Sequence, residues 1–274
     1  MIRAGFIGLG DMGGAIARRI VDAEFATTLW ARREASLEAF RGTRFNAARS
    51  PAEVGRNSDV VGVCVFGDDD VLAVVLGPNG LLEGMEQGSV LVIHSTISVA
   101  ATLKIAAAAK VGSVDVLDAP VSGARSGATS GTLSIMVGGK AAAFQKALPL
   151  MQAYGASILH LGGIGSGQRM KVLNNVLGFA NLRMAHLAIE LGDALGLDPD
   201  GVKQVLRSGS AGSFNLGILI DRLMPDPAFA RHAVAMTEKD TRLFQRMCQD
   251  EGLPRTLMDQ LAEEAIDLVA RLGH

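Results

Sequence analysis

The sequence contains few aromatic residues and few cysteines, and it has no large excess of charge of one sign. Only 4% of its 274 residues are aromatic, whereas 49% are hydrophobic, so alanine, valine, leucine and glycine must build the core. The formal net charge of −2 excludes a protein that tracks nucleic acid, because contact with many phosphates requires a basic excess. The two cysteines, Cys64 and Cys248, form neither a disulfide framework nor a metal-ligand spacing.

Long hydrophobic runs are also lacking. No apolar run approaches the ~18 residues that a membrane span requires. The first residues, Met1 to Ile7, lack the basic region and the longer apolar stretch of a signal peptide. We therefore expect a soluble cytoplasmic protein that binds no membrane and no metal. The chain is long enough for one large domain or two ordinary ones.

A glycine-rich turn near the N-terminus is the first motif. The apolar run Ile2 to Ile7 leads into Gly8-Leu9-Gly10-Asp11-Met12-Gly13, and helical periodicity follows from Gly14 to Val21. A G-x-G-x-x-G motif between a strand and a helix predicts a dinucleotide site, because its glycines allow the tight turn and the approach of a pyrophosphate. The helix N-terminus then offers N–H groups to the phosphates. We predict that these six residues bind NAD or NADP.

Two arginines follow the second predicted strand, Thr27 to Trp30. In a dinucleotide-binding domain this position meets the adenosine ribose, where an acid binds the 2′-hydroxyl and an arginine accommodates a 2′-phosphate. Arg32 and Arg33 therefore favour NADP over NAD, since a guanidinium pairs with phosphate through two hydrogen bonds. The alternative is that both are solvated loop residues, which leaves NAD open.

Further strands and helices alternate up to about residue 163. Strands are predicted at Val60–Phe66, Val90–Ile93, Val114–Asp118, Leu133–Val137 and Ser157–Leu161, and helices after Gly67, at Val99–Lys110 behind Ser98, and at Ala141–Tyr154. His94 ends one strand, and we interpret it as a packed neighbour because no acid lies beside it. The stretch Ala119–Thr132 is predicted as a loop of small residues, which either binds a carboxylate through N–H and hydroxyl groups or is a flexible turn.

After Gly165 the strand signals stop. A single helix is predicted over Gln168–Leu195, about 40 Å long at 1.5 Å per residue. Asp198 and Pro199 begin another helix, and others are predicted at Phe214–Met224, Ala233–Asp250 and Pro254–Leu272. The sequence thus predicts an α/β protein with a Rossmann dinucleotide-binding domain over residues 1–163 and an all-helical domain over residues 164–274, joined by the long helix.

Lys171 lies at the predicted junction of these domains, beside the cleft expected for a nicotinamide. On a helix, Lys171 and Asn175 share one face, with Gln168 one turn earlier. The neighbouring residues are mostly apolar, and burial of an ammonium lowers its pKa, which makes a lysine able to exchange protons near neutral pH. The alternative is an exposed lysine near the start of a helix.

Four motifs in this order resemble those of the β-hydroxyacid dehydrogenases, the 3-hydroxyisobutyrate dehydrogenase family. The motifs are Gly5-Phe6-Ile7-Gly8-Leu9-Gly10-Asp11-Met12-Gly13, Asp118-Ala119-Pro120-Val121-Ser122-Gly123, Gly165-x-Gly167-x3-Lys171-x2-Asn174-Asn175, and Lys239-Asp240. The resemblance covers almost the whole chain. It implies an NAD(P)-dependent oxidoreductase that acts on a small β-hydroxy acid or semialdehyde and associates as a dimer or tetramer through its helical domain.

The resemblance also implies roles for individual residues. Lys171 is the implied catalytic acid and base. Ser122, Gly123 and Asn175 are implied to bind the carboxylate end of the substrate, and Lys239 to contact substrate or cofactor. The implied cofactor positions beyond the glycine turn are Val65, Phe66, Asp70 and Thr96.

Two residues depart from the family pattern. Ala124 stands where a second glycine is usual, and Ala233 stands where a phenylalanine is usual. Both departures concern the choice of substrate. Imine reductases share the architecture but lack the lysine, and 6-phosphogluconate enzymes have a longer helical domain. The alternative function is a dinucleotide-binding sensor or scaffold without turnover, which the presence of Lys171 and Asn175 disfavours.

Overall fold

The computed structural model describes residues 2–274, which divide into two compact units. One unit ends at Lys171, and the other runs from Val172 to His274. The first contains a nine-stranded sheet with helices, and the second is built from helices. Among residues 2–274, no helix is both long enough and apolar enough to span a lipid bilayer.

Strands and helices alternate along most of the first unit. The strands are β1 (Arg3–Ile7), β2 (Ala26–Trp30), β3 (Asn46–Ala47), β4 (Val60–Val63), β5 (Val90–Ile93), β6 (Asp115–Asp118), β7 (Val121–Ser122), β8 (Leu133–Gly139) and β9 (Gly155–Gly162). The helices are α1 (Asp11–Asp22), α2 (Pro51–Arg56), α3 (Asp68–Leu76), α4 (Leu81–Gly84), α5 (Val99–Val111), α6 (Ala124–Ser130) and α7 (Ala141–Met151). A 3₁₀ helix covers Glu34–Phe40.

Six strands form a parallel sheet in the order β3-β2-β1-β4-β5-β6. Beyond β6 the sheet is mixed: β6 and β7 pair antiparallel with different parts of β8, and β9 pairs parallel with its other edge. The strand order reverses between β1 and β4. In such sheets ligands bind beyond the carboxyl ends of the strands at this reversal. The predicted Rossmann architecture is confirmed.

The central strands are apolar on both faces, which is why they occupy the middle of the sheet. Phe6 packs into the cluster beneath α1 and α7, whereas the next residue, Ile7, packs into the cluster that includes Val71 of α3 and Ile105 of α5. Successive side chains of a strand point to opposite faces, so one apolar run contributes to two cores.

The second unit consists of the larger part of α8 (Ser166–Ala194) together with α9 (Pro199–Ser208), α10 (Phe214–Ile218), a π-helical turn (Leu219–Leu223), α11 (Pro227–Asp250) and α12 (Leu257–Leu272). Asp198 caps α9 by accepting from the Gly201 N–H, as the Asp-Pro pair predicts. Leu182, Leu219 and Leu268 belong to one core cluster, and Val176 and Phe244 belong to another.

Several predicted boundaries were wrong for identifiable reasons. The strand predicted over Val60–Phe66 ends at Val63, because the Val65 N–H donates to Ser95 Oγ and leaves the ladder. Helix α11 begins at Pro227, six positions before the predicted Ala233, because Asp226 accepts hydrogen bonds from its first turn. Helix α12 begins at Leu257 behind a capping box formed by Thr256 and Asp259.

The loop predicted over Ala119–Thr132 was also wrong. It contains strand β7 and the seven-residue helix α6, which ends at the left-handed Gly131. Glycine and serine disfavour both structures locally, but Ala128 is buried in the core and β7 pairs with β8. Tertiary packing therefore overrides the local propensity of this segment.

Candidate functional site

The turn between β1 and α1 has the shape that a dinucleotide requires. Gly8 has a φ of +96°, which side-chain-bearing residues rarely adopt, and a Cβ on Gly13 would lie 1.8 Å from the Gly8 carbonyl oxygen. A Cβ on Gly10, in contrast, would meet no more distant part of the described chain within 4 Å. The first and third glycines are thus needed for the turn, and the second leaves open space where a pyrophosphate can approach.

The N-terminus of α1 opens onto this space. Gly10 precedes the helix, and within residues 2–274 no side chain caps it. The side chains of Leu9 and Met12 pack partly against the core. What these two residues can offer a ligand is therefore their backbone N–H groups. The Asp11 carboxylate lies 2.6 Å from Arg125 Nη1, and this exposed ion pair links the start of α1 to α6.

Arg32 is paired with Asp70, another predicted cofactor position. Its Nη1 lies 3.0 Å from Asp70 Oδ1, and the arginine side chain is 82% exposed. Arg33 instead precedes the 3₁₀ helix. Of the two arginines, Arg32 is the one that the structure joins to a second predicted cofactor residue.

The ends of β4 and β5 carry Val65, Phe66 and Thr96. The Val65 N–H donates to Ser95 Oγ at 2.8 Å, and the Phe66 side chain is 62% exposed. Thr96 follows β5 between Ser95 and Ile97, whose backbone atoms both hydrogen-bond the Gln168 side chain. These hydrogen bonds fix the backbone at Val65 and on both sides of Thr96, which are two of the predicted cofactor positions.

Asp118 ends β6 as a fully buried carboxylate at the start of α8. Its Oδ1 accepts from the Gly165 N–H at 2.7 Å, and its Oδ2 accepts from the Gln168 N–H at 2.8 Å. Burial raises the pKa of Asp118 to about 6, and these backbone hydrogen bonds oppose the rise. Asp118 is therefore predominantly a carboxylate at neutral pH. The sequence analysis included Asp118 in a motif but did not predict its hydrogen bonds to the start of α8.

Ser122 and Gly123 lie where β7 turns into α6. Ser122 is half-buried and paired with Ser134, and Gly123 has a φ of +130°. Ala124, the first departure from the family pattern, has a φ of +54°. The alanine thus adopts a left-handed conformation that a glycine would adopt without strain.

Lys171 and Asn175 lie on one continuous helix, α8, and the spacing of four residues places them on the same side. Lys171 is half-buried. Its exposure is therefore intermediate between the buried lysine and the exposed lysine that the sequence left open as alternatives. Gln168, one turn earlier, is fully buried.

In the second unit, Asp240 joins Asn175 to Lys239. Asn175 Nδ2 donates to Asp240 Oδ2 at 2.7 Å, and Lys239 Nζ lies 3.0 Å from Asp240 Oδ1. Asp240 is only 3% exposed, so its charge is compensated inside the protein. The two residues assigned to substrate binding from this unit are therefore brought together by a shared carboxylate.

His94 is packed inside the first unit, as the sequence analysis expected. Its Nδ1 lies 2.8 Å from the Ala119 carbonyl oxygen, so Nδ1 carries the hydrogen and Nε2 accepts from the Tyr154 hydroxyl at 3.0 Å. Burial lowers the pKa of His94 to about 4, which keeps the ring neutral. His94 supports the fold at the end of β5.

These features define a class: a dinucleotide-binding oxidoreductase with a Rossmann unit followed by a helical unit. Residues 3–162 match the NAD-binding domain of 6-phosphogluconate dehydrogenase, and residues 165–274 match the NAD-binding domain of NADP-dependent 3-hydroxyisobutyrate dehydrogenase. The chain belongs to the 3-hydroxyisobutyrate dehydrogenase family and is an NAD(P)-dependent hydroxyacid dehydrogenase.

Individual relatives agree with this assignment. The chain is 31% identical to 2-(hydroxymethyl)glutarate dehydrogenase of Eubacterium barkeri and 34% identical to NAD-dependent L-serine dehydrogenase of Pseudomonas aeruginosa; each alignment covers 92% of this chain and 84% of the relative. The fold matches that of 3-hydroxyisobutyrate dehydrogenase from Mycobacterium tuberculosis with a TM-score of 0.82 at 23% identity, over 99% of this chain and 93% of that one. These relatives are dehydrogenases, which favours an enzyme over a non-catalytic binder.

Proposed function

We propose that this enzyme interconverts a small β-hydroxy acid and its semialdehyde, with Lys171 transferring the proton and NADP as the preferred cofactor. The observation that carries the proposal is the start of α8. This helix begins on the buried Asp118 carboxylate, carries the half-buried Lys171 in its second turn, and carries Asn175 one turn later.

The first unit supplies residues suited to each part of the cofactor. In this proposal the turn from Gly8 to Gly13 holds the pyrophosphate, Arg32 pairs with the 2′-phosphate, and the remaining contacts come from Val65, Phe66, Asp70 and Thr96. The nicotinamide, when bound, supplies the acceptor or donor of a hydride. Relatives differ in this preference, since one matched family is described as NADP-dependent and the serine enzyme as NAD-dependent. Arg32 supports NADP here.

Lys171 Nζ moves the proton in this mechanism. As a neutral amine it takes the proton of the substrate hydroxyl during oxidation, and as an ammonium it returns a proton to the carbonyl oxygen during reduction. The Ser122 hydroxyl and the Gly123 N–H donate to the substrate carboxylate. The Asn175 amide and Lys239, both held by Asp240, provide further donors for substrate, and Lys239 also contacts the cofactor.

The names of the relatives support a substrate with a primary alcohol. L-serine, 2-(hydroxymethyl)glutarate and 3-hydroxyisobutyrate each carry a hydroxymethyl group on the carbon that bears a carboxylate. They differ only in the third substituent, which is an ammonium, a carboxyethyl or a methyl group. Oxidation of such an alcohol gives a semialdehyde. Tartronic and methylmalonic semialdehydes are the candidate carbonyl substrates that fit this pattern. Succinic semialdehyde and glyoxylate, whose reduction gives a γ-hydroxy and an α-hydroxy acid, complete the set of short candidate carbonyl acids.

A substrate panel tests this function. The purified protein is mixed with NADP⁺ or NAD⁺ and each of the three hydroxy acids, and with NADPH or NADH and each carbonyl compound, while nicotinamide absorbance is followed. We expect turnover of at least one member, with a higher kcat/KM for the phosphorylated cofactor. Cofactor binding without turnover of any member would favour the sensor or scaffold.

Lys171 is tested by substitution. Lys171→Ala is expected to lower kcat by about 10²–10⁴-fold, the usual contribution of a positioned acid or base. Lys171→Arg keeps the charge, but a guanidinium does not lose its proton near neutral pH and cannot act as the base, so a comparable loss is expected. Cofactor affinity should change little, because the glycine turn is untouched. Lys203→Ala, at an ion pair between a half-buried lysine and the exposed Asp200, is the control. Full activity of a folded Lys171→Ala protein would remove Lys171 from the mechanism.

Three further points belong to the same proposal. We place the domain boundary at residues 163/164, between the matched ranges 3–162 and 165–274, so that the start of α8 as far as Lys171 belongs to the helical domain in sequence but to the first compact unit. The helical domain forms a dimer or tetramer. Exposed apolar side chains along α8 support association, and they include Leu173, Leu177, Met184 and Leu191. A cytoplasmic location agrees with Cys64 and Cys248 forming no disulfide.

A further inference from the structure

Gln168 is a buried glutamine whose side-chain amide is used at both ends. Its Oε1 accepts from the Ile97 N–H at 3.2 Å, and its Nε2 donates to the Ser95 carbonyl oxygen at 2.8 Å. No part of the residue is exposed. These two partners flank Thr96, so the side chain spans the backbone of a predicted cofactor contact from both sides.

The backbone of the same residue is held independently. The Gln168 N–H donates to Asp118 Oδ2, and the Gly165 N–H donates to the other carboxylate oxygen. The first turn of α8 is therefore attached to the end of β6 through the main chain and to the end of β5 through the Gln168 side chain. A turn fixed at two strand ends has little freedom to shift along its axis or to rotate.

Lys171 follows Gln168 by three residues on this helix. Side chains three residues apart are neighbours on the helix surface, so the position of Lys171 follows that of the Gln168 turn. Ser95, which accepts from Gln168 through its carbonyl, also accepts the Val65 N–H through its hydroxyl. One series of hydrogen bonds thus runs from Val65 through Ser95 to Gln168.

We infer that Gln168 is a positioning residue that fixes the turn carrying Lys171 to the Thr96 segment of the cofactor site. This inference rests on the proposed role of Lys171. A proton-transferring group must stand at a set place relative to the atom that loses hydride, and a displacement of about 1 Å can cost about 10²-fold in rate. Within the first unit, the Gln168 side chain directly links the turn that carries Lys171 to the Thr96 segment, a predicted part of the cofactor site.

The test substitutes methionine, which has a similar volume but neither donates nor accepts as an amide does. Gln168→Met is expected to lower kcat by about 10- to 100-fold. The KM for substrate and the dissociation constant for NADPH should change far less, because the residues assigned to binding remain. Gln245→Met is the matched control, since Gln245 is a half-buried glutamine that bonds Glu263 on α12, and it should leave kcat unchanged.

A double-substitution cycle separates positioning from general support of the fold. In the Lys171→Ala background, Gln168→Met should lower kcat little further, because the group that it places is gone. Losses that multiply would overturn the inference, and so would an unchanged kcat in Gln168→Met alone. If Gln168→Met does not fold, Gln168→Asn serves in the same cycle, since it is too short to reach both Ser95 and Ile97.

The two proposals fail in different ways. Retained activity in Lys171→Ala contradicts the proposed function whatever Gln168 does. Lost activity in Lys171→Ala with full kcat in Gln168→Met contradicts the positioning role alone.

Discussion

Arg32 forms an ion pair with Asp70 that bears on its predicted role in cofactor choice. Its guanidinium is already paired with Asp70, so a 2′-phosphate would join an existing ion pair. We expect Arg32→Asp to lower kcat/KM for NADPH by about 10- to 100-fold more than for NADH, because a hydrogen bond to a charged group is worth about 1.5–3 kcal/mol. The new carboxylate would also repel both the phosphate and Asp70. Steady-state kinetics with both cofactors measure the difference.

Arg41→Asp is the control for this charge reversal. Arg41 is exposed and paired with Glu38 three residues earlier in the chain. Its substitution should leave the ratio of the two kcat/KM values unchanged. Equal losses for NADPH and NADH in Arg32→Asp would show that Arg32 does not read the 2′-phosphate.

His94 gives a prediction about pH and stability. Its folded pKa of about 4 lies below the ordinary value of 6.5, so the unfolded chain binds a proton that the folded one does not. The stabilisation is present above about pH 6.5 and is lost as the pH falls toward 4, by about 1.4 kcal/mol per pH unit. Urea unfolding across this range should show the free energy of unfolding of the wild type falling, relative to that of His94→Asn, as the pH falls from about 6.5 to 4.

The comparison must be made as a difference between the two proteins. Asp118 titrates in the same range with the opposite sign, because its raised pKa favours the folded state as the pH falls. Asp118 is present in both proteins, so its contribution cancels. His232→Asn, at an exposed site on α11, is the control and should keep the wild-type dependence. Parallel curves for wild type and His94→Asn would contradict the assignment.

At the scale of elements, Asp118 determines how α8 begins. Asp118→Asn keeps one carbonyl oxygen but turns an NH₂ group toward the N–H of Gly165 or Gln168. We expect a loss of about 1–3 kcal/mol in the free energy of unfolding, the cost of leaving a buried group unsatisfied. Urea denaturation measures it.

Asp115→Asn provides the comparison at the other end of the same strand. Asp115 pairs with an exposed Lys140, and exposed pairs contribute about 0–1 kcal/mol. A loss for Asp118→Asn no larger than that for Asp115→Asn would show that the carboxylate does not hold the helix.

Element prediction succeeded where the local signal was strong. Val90–Ile93, Asp198-Pro199 and Ser98 gave a strand, a helix start and a cap as expected. It failed over Ala119–Thr132, where glycine, serine and alanine carry little preference and the pairing of β7 with β8 determined the structure. The candidate site shows the same division, since the glycine turn is a local pattern whereas the Asp118–Gln168 contact joins residues 50 positions apart.

At the scale of the whole molecule, the exposed apolar residues of α8 predict self-association. Four of them, at 100° per residue, fall within an arc of about 40°, and such a stripe is typical of an interaction surface; they are Leu173, Leu177, Met184 and Leu191. We expect Met184→Glu with Leu191→Glu to reduce the mass of the particle toward that of one chain in analytical ultracentrifugation.

Val205→Glu is the control for this substitution. Val205 is an exposed apolar residue on α9, outside the stripe, so its replacement should leave the mass unchanged. An unchanged mass in the double variant, or a single-chain mass for the wild type, would contradict association through this face of α8.

The sequence by itself determined the alternation of the longer strands and helices, the dinucleotide turn, the long helix and the family, because each depends on residues close together in the chain or on motifs in a fixed order. Only the tertiary structure decided which side chains meet: Arg32 with Asp70, Asn175 and Lys239 with Asp240, and Gln168 with the backbone around Thr96. Hydrophobic periodicity specifies which face of an element is buried, but not which distant polar group lies opposite. Those pairings follow from how the sheet and helices pack.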